Sequence, residues 1–181
     1  SMKKTHVVLD RDGTIIKHIH YLCDSNQVSI LPTVHEGLKK LINNNIAISI
    51  HTNQSGVGRG YFSVEEVQEC NNRMFKLLNL TTDSFKEICI AYESPDGIIE
   101  NRKPSSKFGE YLLNKYSCSV DDLFYIGDTY TDYQTSVNIG CKFIGVNTGL
   151  VKFSSLPEDK QDMILFKDNF LSAIDVLLAS L

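Results

Sequence analysis

The sequence predicts an α/β fold, with a central parallel sheet and helices on both of its faces. Short runs rich in β-branched residues alternate along the chain with segments whose apolar residues recur at helical spacing. A capping box of Ser63 and Glu66 opens one of the helical segments. Strands that alternate with helices pair in parallel, because each helix returns the chain to the same end of the sheet.

The elements follow one another in a regular order. β-Branched and aromatic runs predict strands over residues 5–10, 46–52, 88–92, 123–127, 142–146 and 163–166. Helical spacing predicts helices over residues 34–42, 63–78, 105–116, 131–139 and 169–181, with Gly140 closing the fourth. The 181 residues, 42% of them hydrophobic, can bury a core without disulfides. We therefore expect one domain over residues 2–181, in which segment 15–31 forms a flap over the end of the first strand.

Composition argues against several classes of protein. The net charge of −4 and the lack of a basic tract disfavour nucleic-acid binding through general electrostatics. No apolar run approaches the roughly 20 residues of a membrane span, and the residues before the first strand are too few for a signal peptide. Five widely spaced cysteines without a C-x-x-C pair predict free thiols. We expect a cytoplasmic monomer that acts on a small molecule.

Polar residues follow four of the predicted strands, at the edge of a parallel sheet where ligands bind. The four strings are Asp10-Arg11-Asp12-Gly13-Thr14, Thr52-Asn53-Gln54-Ser55-Gly56, Arg102-Lys103-Pro104 and Gly127-Asp128-Thr129-Tyr130-Thr131-Asp132. They consist mainly of carboxylates, small hydroxyl or amide groups and one lysine. We therefore expect one kind of chemistry where these strand ends meet.

Carboxylates that meet at one edge repel each other unless a cation lies among them, and oxygen ligands together with a phosphate suit Mg²⁺. We expect Mg²⁺ between Asp10 and Asp128, with Thr52 and Lys103 on the remaining phosphoryl oxygens. Asp10 is then placed to attack phosphorus and form an aspartyl-phosphate. Asp12 is predicted to protonate the leaving oxygen and later to deprotonate the water that hydrolyses the intermediate.

The four strings, in this order and on these strand ends, resemble the motifs of the haloacid dehalogenase superfamily of phosphatases. The resemblance implies a Rossmann-like core with Mg²⁺ and no large cap domain. It implies that Asp10 is both nucleophile and metal ligand, that Asp12 also lends its backbone carbonyl to the metal, and that Asp128 is a ligand supported by Asp132. The residues that it places on phosphate or substrate are Thr52, Asn53, Arg102 and Lys103.

The longer strings around Thr52 and Lys103 resemble a compact branch of that superfamily, subfamily IIIA. This branch includes phosphatases of D-glycero-D-manno-heptose 1,7-bisphosphate and of histidinol phosphate, which commonly carry a C-x-H…C-x-C zinc loop before the Arg-Lys-Pro string. Here Glu93 to Asn101 stands in that place without cysteine or histidine, so we expect no structural zinc. The resemblance implies a phosphomonoesterase of a small sugar phosphate, with the heptose bisphosphate as first candidate.

Other functions remain open at this point. Histidinol phosphate is a second candidate substrate. Polynucleotide 3′-phosphatases share a T-N-Q-x-G string and lack the zinc loop, although the acidic composition disfavours them. From other classes, a receiver domain would store an aspartyl-phosphate, and an inactive binding module would hold a ligand without turnover.

Several residues also have a simpler interpretation. Asp132 could only cap the helix that follows it, and Arg102 and Arg59 could be solvated surface arginines. The pair His18 and His20 is interpreted as part of the flap rather than as a metal site. His51 is interpreted as a histidine with satisfied hydrogen bonds near the core.

Overall fold

Six parallel strands form one sheet in the computed structural model, which describes residues 4–181. The strands are β1 (His6–Leu9), β2 (Ala47–Asn53), β3 (Ile88–Ala91), β4 (Leu123–Gly127), β5 (Lys142–Val146) and β6 (Phe166–Lys167). Their order across the sheet is β3-β2-β1-β4-β5-β6, and every neighbouring pair is parallel. The predicted parallel sheet is confirmed, while the expected start of the domain at Met2 lies outside the described residues.

Residues 4–181 form six α-helices, most of which cover the two faces of the sheet. They are α1 (Val34–Asn43), α2 (Val64–Leu78), α3 (Lys107–Lys115), α4 (Tyr130–Ile139), α5 (Glu158–Asp162) and α6 (Phe170–Ala179). Val7 and Leu9 of β1 pack into one core cluster with α1, α2 and α6, whereas Val8 packs with α3 on the opposite face. Because side chains alternate along a strand, the central strand is buried on both sides.

Local sequence signals fix the helix ends as expected. Oγ of Ser63 accepts from the backbone N–H of Glu66, and Glu66 accepts from the backbone N–H of Ser63, so the predicted capping box is confirmed. Gly140 ends α4 with a φ of +86°, a conformation that glycine adopts without strain. None of the helices within residues 4–181 is long and apolar enough to cross a bilayer. All five cysteines are unpaired, which confirms the predicted free thiols.

The sixth strand is shorter and later than predicted. Only Phe166 and Lys167 pair with β5, so the predicted extent of 163–166 is wrong. The backbone N–H of Met163 donates to Lys160, and that of Ile164 donates to Gln161. These bonds continue the turn of α5, so residues 163–164 cannot join the sheet.

The predicted flap, residues 15–31, is anchored to the core. Ile15 and Ile16 are fully buried, and Leu22 and Val28 are 3% and 6% exposed. Ile16 forms isolated bridges with Asp12 and Ile30. The segment therefore lies against the turn after β1, and its apolar side chains are part of the main core. Its role as a flap stays a prediction.

Candidate active site

The turn after β1 brings carboxylates to the carboxyl end of the central strand. Asp10 stays aligned with β4, since its backbone N–H donates to the carbonyl of Ile126 at 3.0 Å. The chain then turns at Gly13, whose φ of +80° favours glycine. A Cβ atom at Gly13 would lie 2.2 Å from Oδ2 of Asp128. The glycine therefore allows the acid that follows β4 to approach the turn.

Lys103 reaches this edge from the loop before α3 and is only 3% exposed. Its Nζ lies 3.2 Å from Oδ1 of Asp10 and donates to Oδ1 of Asp132 at 2.6 Å. Burial alone would lower the pKa of Lys103, but the charges of these two carboxylates raise it above its ordinary value. The ammonium group therefore stays charged inside the protein.

Asp10, Asp128 and Asp132 form what we call the acid cluster, in which one carboxylate oxygen of each lies within 4.8 Å of the others. Burial and the charge of Asp132 raise the pKa of Asp10 well above its ordinary value and that of Asp128 to about 7. Burial acts in the same direction on Asp132, but the ammonium of Lys103 outweighs it and lowers that pKa. When all are ionised, three carboxylates and one ammonium leave a net charge of −2.

The acid cluster fits a divalent cation. Both oxygens of Asp132 accept hydrogen bonds, one from Lys103 and the other from the backbone N–H and hydroxyl of Thr129. Asp10 and Asp128 each keep one oxygen, Oδ2, that accepts no hydrogen bond from residues 4–181. Carboxylate oxygens with unbalanced negative charge are the donors that Mg²⁺ prefers. Asp10 and Asp128 could therefore hold the ion, and Asp132 both orients Lys103 and caps α4.

Arg11 lies buried between the two acids of the first motif and holds Asp12. Its Nε and Nη2 donate to the two carboxylate oxygens of Asp12, both at 3.1 Å, and its Nη1 donates to Asn71 of α2 at 2.8 Å. Gln54 also donates to Asp12, at 2.8 Å. Burial would raise the pKa of Asp12, but the charge and hydrogen bonds of Arg11 hold it below its ordinary value. Sequence analysis assigned no role to Arg11, although an arginine between two carboxylates was an available signal.

The last two residues of β2 connect the motifs to each other. Oγ1 of Thr52 accepts from Nε2 of Gln54 at 2.8 Å. Oδ1 of Asn53 accepts from the backbone N–H of Lys103 at 2.9 Å, and its Nδ2 donates to the Lys103 carbonyl at 3.2 Å. Asn53 therefore positions the backbone of the buried lysine. Contact of Thr52 or Asn53 with phosphate or substrate stays a prediction.

One carboxylate oxygen fastens the loop between β3 and α3. Oε2 of Glu93 accepts from the backbone N–H groups of Glu100, Asn101 and Arg102 at 2.7, 2.8 and 3.1 Å. Burial would raise the pKa of Glu93, but these hydrogen bonds lower it. His51 adds a second attachment, because its Nε2 donates to the carbonyl of Asn101 at 2.7 Å. The prediction of a satisfied buried histidine is confirmed, and the chain is held fast just before the buried lysine.

Arg102 lies at the rim of this edge, and a second arginine, Arg59, is close enough for its charge to act on Arg102. Burial and, after it, the positive charge of Arg59 lower the pKa of Arg102. Arg59 is exposed, and its Nε donates to Oγ of Ser55 at 3.3 Å. Two guanidinium groups are therefore available to an anion that extends out of the acid cluster.

Two cavities meet at Asp12. The acidic cavity, of about 220 Å³, is lined by Asp10, Asp12, His18, Asn53, Arg102, Lys103, Asp128, Thr129 and Thr131. The second chamber, of about 270 Å³, lies against the flap and shares Asp12, His18 and Asn53 with the acidic cavity. A larger cavity of about 630 Å³ runs along β3 and contains none of the acid cluster.

The structure brings most of the predicted site residues into one cavity. Thr52 and Asp132 are each 1% exposed and lie behind its wall rather than in it. His18, expected to be only a flap residue, lines both cavities. Its position could not be read from the sequence, because it depends on how the flap folds back over β1.

The chain matches known proteins over most of its length. The sequence model of the family described as polynucleotide kinase 3 phosphatase matches residues 6–171. A D-glycero-D-manno-heptose-1,7-bisphosphate 7-phosphatase of Chlorobaculum tepidum is 31% identical over 154 residues, which cover 78% of this chain and 77% of that protein. The histidine biosynthesis bifunctional protein HisB of Bacteroides fragilis is 29% identical over 147 residues, which cover 79% of this chain but 39% of that protein.

A solved structure has the same fold over nearly the whole chain. It is a D,D-heptose 1,7-bisphosphate phosphatase from B. bronchiseptica, complexed with magnesium and phosphate, with a TM-score of 0.83. The match covers 98% of this chain and 99% of that one, at 21% sequence identity. At that level of identity the likeness establishes the fold alone.

Proposed function

The chain belongs to the polynucleotide kinase 3 phosphatase family and is a phosphatase, and on that premise we propose that it is a Mg²⁺-dependent phosphomonoesterase of a small sugar phosphate. Our first candidate substrate is D-glycero-D-manno-heptose 1,7-bisphosphate. One observation carries the chemistry: Asp10 lies at the end of the central strand, 3.2 Å from Nζ of Lys103 and beside two further carboxylates. We also propose that residues 2–181 act as one domain in a cytoplasmic monomer.

Asp10 is the proposed nucleophile. One of its oxygens bonds to phosphorus while the bond from phosphorus to the ester oxygen breaks, which forms an aspartyl-phosphate. Lys103 is held where it can offset the charge of the phosphoryl oxygens during this exchange. Thr52 and Asn53 support the same region from the end of β2.

Asp12 is the proposed acid and base. The charge of Arg11 keeps Asp12 ionised in the free protein, which suits its second task of taking a proton from water. The water oxygen then bonds to phosphorus, the bond between Asp10 and phosphorus breaks, and phosphate is released. For its first task Asp12 must carry a proton to the leaving oxygen. The negative charge of an arriving phosphate favours uptake of that proton, because like charge raises the pKa of a carboxyl group.

Asp10 and Asp128 are proposed to hold Mg²⁺ together with the backbone carbonyl of Asp12, while Asp132 supports them through Lys103. Bound Mg²⁺ supplies positive charge that neutralises the acid cluster and polarises the phosphoryl group. We propose no structural zinc, since residues 93–101 contain neither cysteine nor histidine and are fastened by hydrogen bonds to Glu93.

A sugar bisphosphate suits the surroundings of the acid cluster. Arg59 and Arg102 offer two guanidinium groups at the rim, where a second phosphate of the substrate could bind. The relative from C. tepidum is named for such a substrate. The family description favours a polynucleotide 3′-phosphate as the alternative, and histidinol phosphate is the other substrate expected from the sequence.

The test is phosphate release from a panel of esters with Mg²⁺, with the Asp10→Asn variant as the blank. The panel contains both anomers of heptose 1,7-bisphosphate, hexose phosphates, histidinol phosphate and a 3′-phosphorylated oligonucleotide. We expect the heptose bisphosphate to be preferred, with kcat/KM of at least about 10⁴ M⁻¹s⁻¹, and activity to vanish with a chelator. Turnover without metal would overturn the mechanism. A clear preference for the oligonucleotide would overturn the substrate.

A further inference from the structure

One polar atom in the site has no partner. Nε2 of His18 is enclosed by protein and makes no hydrogen bond to any of residues 4–181. Buried polar atoms are almost always paired, so an unpaired one calls for an explanation. The other such side-chain atom in these residues, Oγ1 of Thr5, lies just before β1, at the opposite end of that strand from the acid cluster.

His18 stands at the boundary between the acidic cavity and the second chamber, since it lines both. The acidic cavity contains the nucleophile and Lys103, so the phosphoryl group belongs there. Asp12, the proposed acid for the leaving oxygen, also lines both cavities. The part of the substrate beyond that oxygen therefore extends past His18 into the second chamber.

Apart from the exposed His20 and Tyr21, the other polar side chains that line the second chamber already make hydrogen bonds. Nε2 of Gln54 donates to two neighbours, and both amide atoms of Asn53 bond to backbone. Oγ of Ser55 accepts from a guanidinium group. Nε2 of His18 is therefore the one polar side-chain atom of this lining that is fully enclosed and has no hydrogen-bond partner within residues 4–181.

The lining of the second chamber indicates the kind of ligand. It contains no lysine or arginine, so it offers no cation for a second phosphate. Leu22 and Phe62 supply apolar surface. Tyr21 supplies an aromatic ring that packs edge-on against Tyr61, with 4.8 Å between the ring centroids. Apolar faces combined with a few hydrogen-bonding groups suit a carbon skeleton that carries hydroxyl groups.

We propose that the second chamber binds the uncharged, polyhydroxylated carbon skeleton of the leaving group, and that Nε2 of His18 hydrogen-bonds one of its hydroxyl groups. His18 is thus a specificity-determining residue, and this assignment rests on the phosphatase function proposed above. A leaving group without hydroxyl groups leaves that ring nitrogen unpaired, which penalises its binding.

The test compares His18→Phe, which keeps a ring but loses both nitrogens, with His18→Gln, whose amide reaches the position of Nε2. For each variant, kcat/KM is measured with heptose 1,7-bisphosphate and with p-nitrophenyl phosphate, whose leaving group has no additional hydroxyl. The ratio compared is kcat/KM for the heptose ester divided by kcat/KM for p-nitrophenyl phosphate. We expect His18→Phe to lower this ratio about 10- to 100-fold, mainly through KM for the heptose ester. We expect His18→Gln to restore the ratio to within about threefold of the wild type. His35→Phe, which changes an exposed histidine on α1, is the matched control and is expected to leave the ratio unchanged.

A binding measurement separates this inference from the proposed function. The affinity of heptose 1,7-bisphosphate is measured by calorimetry in the Asp10→Asn background, with and without His18→Phe, after thermal unfolding confirms that each variant is folded. We expect His18→Phe to weaken binding of the heptose bisphosphate about 10-fold or more. An unchanged affinity, or an equal loss of kcat/KM for both esters, would overturn the role of His18. Failure of the wild type to hydrolyse any ester would instead overturn the proposed function, and the binding comparison would still decide the inference.

Discussion

Two ion-pair groups surround the end of β1, and they balance charge in different ways. The guanidinium of Arg11 meets the one carboxylate of Asp12 through two hydrogen bonds of 3.1 Å, and the pKa of Asp12 is low. The acid cluster sets three carboxylates against the single ammonium of Lys103, and the pKa values of Asp10 and Asp128 are raised. The first group is complete as it stands. The second lacks positive charge, which a bound cation would supply.

Replacing one acid in each group tests this difference most strongly. We expect Asp10→Asn to lower kcat by about 10⁴-fold or more, because the nucleophile is lost. In metal-free buffer at pH 8 we expect the same variant to be more stable than the wild type by about 1 kcal/mol. It removes the buried charge of Asp10, which the other carboxylates of the acid cluster repel. Asp12→Asn is expected to be less stable by about 3 kcal/mol, because Arg11 loses its partner.

The measurements are phosphate release and urea unfolding in the presence of a chelator. The comparison depends on the two stability changes having opposite signs. If both variants lose stability to a similar extent, the acid cluster is not strained by excess negative charge.

Glu93 represents a third arrangement, in which backbone N–H groups rather than a cation satisfy a carboxylate. We expect Glu93→Ala to lower kcat/KM about 10-fold, chiefly through KM, because Arg102 and Lys103 lose their fixed positions. Glu93→Gln keeps an acceptor oxygen, so we expect its kcat/KM to fall only about threefold. Steady-state kinetics on the preferred ester measures both effects.

The same loop provides a matched control for Glu93. The side chain of Glu100 is exposed and pairs with Lys107 at 3.5 Å, while its backbone N–H is one of the three donors to Glu93. Glu100→Ala keeps that donor and is expected to leave kcat/KM unchanged. Equal losses in Glu100→Ala and Glu93→Ala would show that any change in this loop disturbs the site.

The smallest expected effect is the pH dependence of stability of the metal-free protein. Asp128 has a pKa of about 7 in the folded protein and about 3.9 in an unfolded chain. The folded state therefore binds more protons between these values, and the contribution of Asp128 to stability falls as pH rises towards 7. We expect the melting temperature of Asp128→Asn to exceed that of the wild type by a few degrees at pH 8, and this difference to shrink at pH 5.5.

The comparison of variant with wild type at each pH is necessary because other groups titrate in the same range. Burial lowers the pKa of His6 to about 4 and that of His51 to about 3. Below the ordinary histidine pKa these two residues destabilise the folded state, an effect shared by both proteins. Saturating Mg²⁺ is expected to remove the advantage of Asp128→Asn, and an advantage that is as large at pH 5.5 as at pH 8 would contradict the raised pKa of Asp128.

Much of the site could be predicted from the sequence, because the carboxyl ends of parallel strands necessarily meet. That rule brings Asp10 and Asp128 together, although they lie far apart in the chain, whereas Lys103 reaches them from the loop before α3. The extent of the sixth strand was mispredicted, since the apolar residues 163–165 resemble a strand while α5, a short and highly polar helix, has no apolar periodicity that would reveal it.

The residues that sequence analysis missed depend mainly on contacts that form only in the folded chain. Arg11 is oriented by Asn71, sixty residues away on α2. Glu93 acts on backbone groups, which have the same chemistry in every residue and so leave no signal in the sequence. His18 owes its importance to an unfilled hydrogen bond, which is a property of the folded flap alone.

The hydrogen bonds to Glu93 have a consequence for how the molecule recognises charge. Three consecutive N–H groups that point to one spot form a nest, a feature that in many proteins binds a phosphate. Here the chain fills its own nest with a carboxylate, directly beside Arg102. These backbone N–H groups are therefore not available to bind a second phosphate of the substrate. In the function proposed above, binding of that phosphate falls instead to Arg59 and Arg102, whose long side chains can follow an anion over a range of positions and so would select for charge more than for shape.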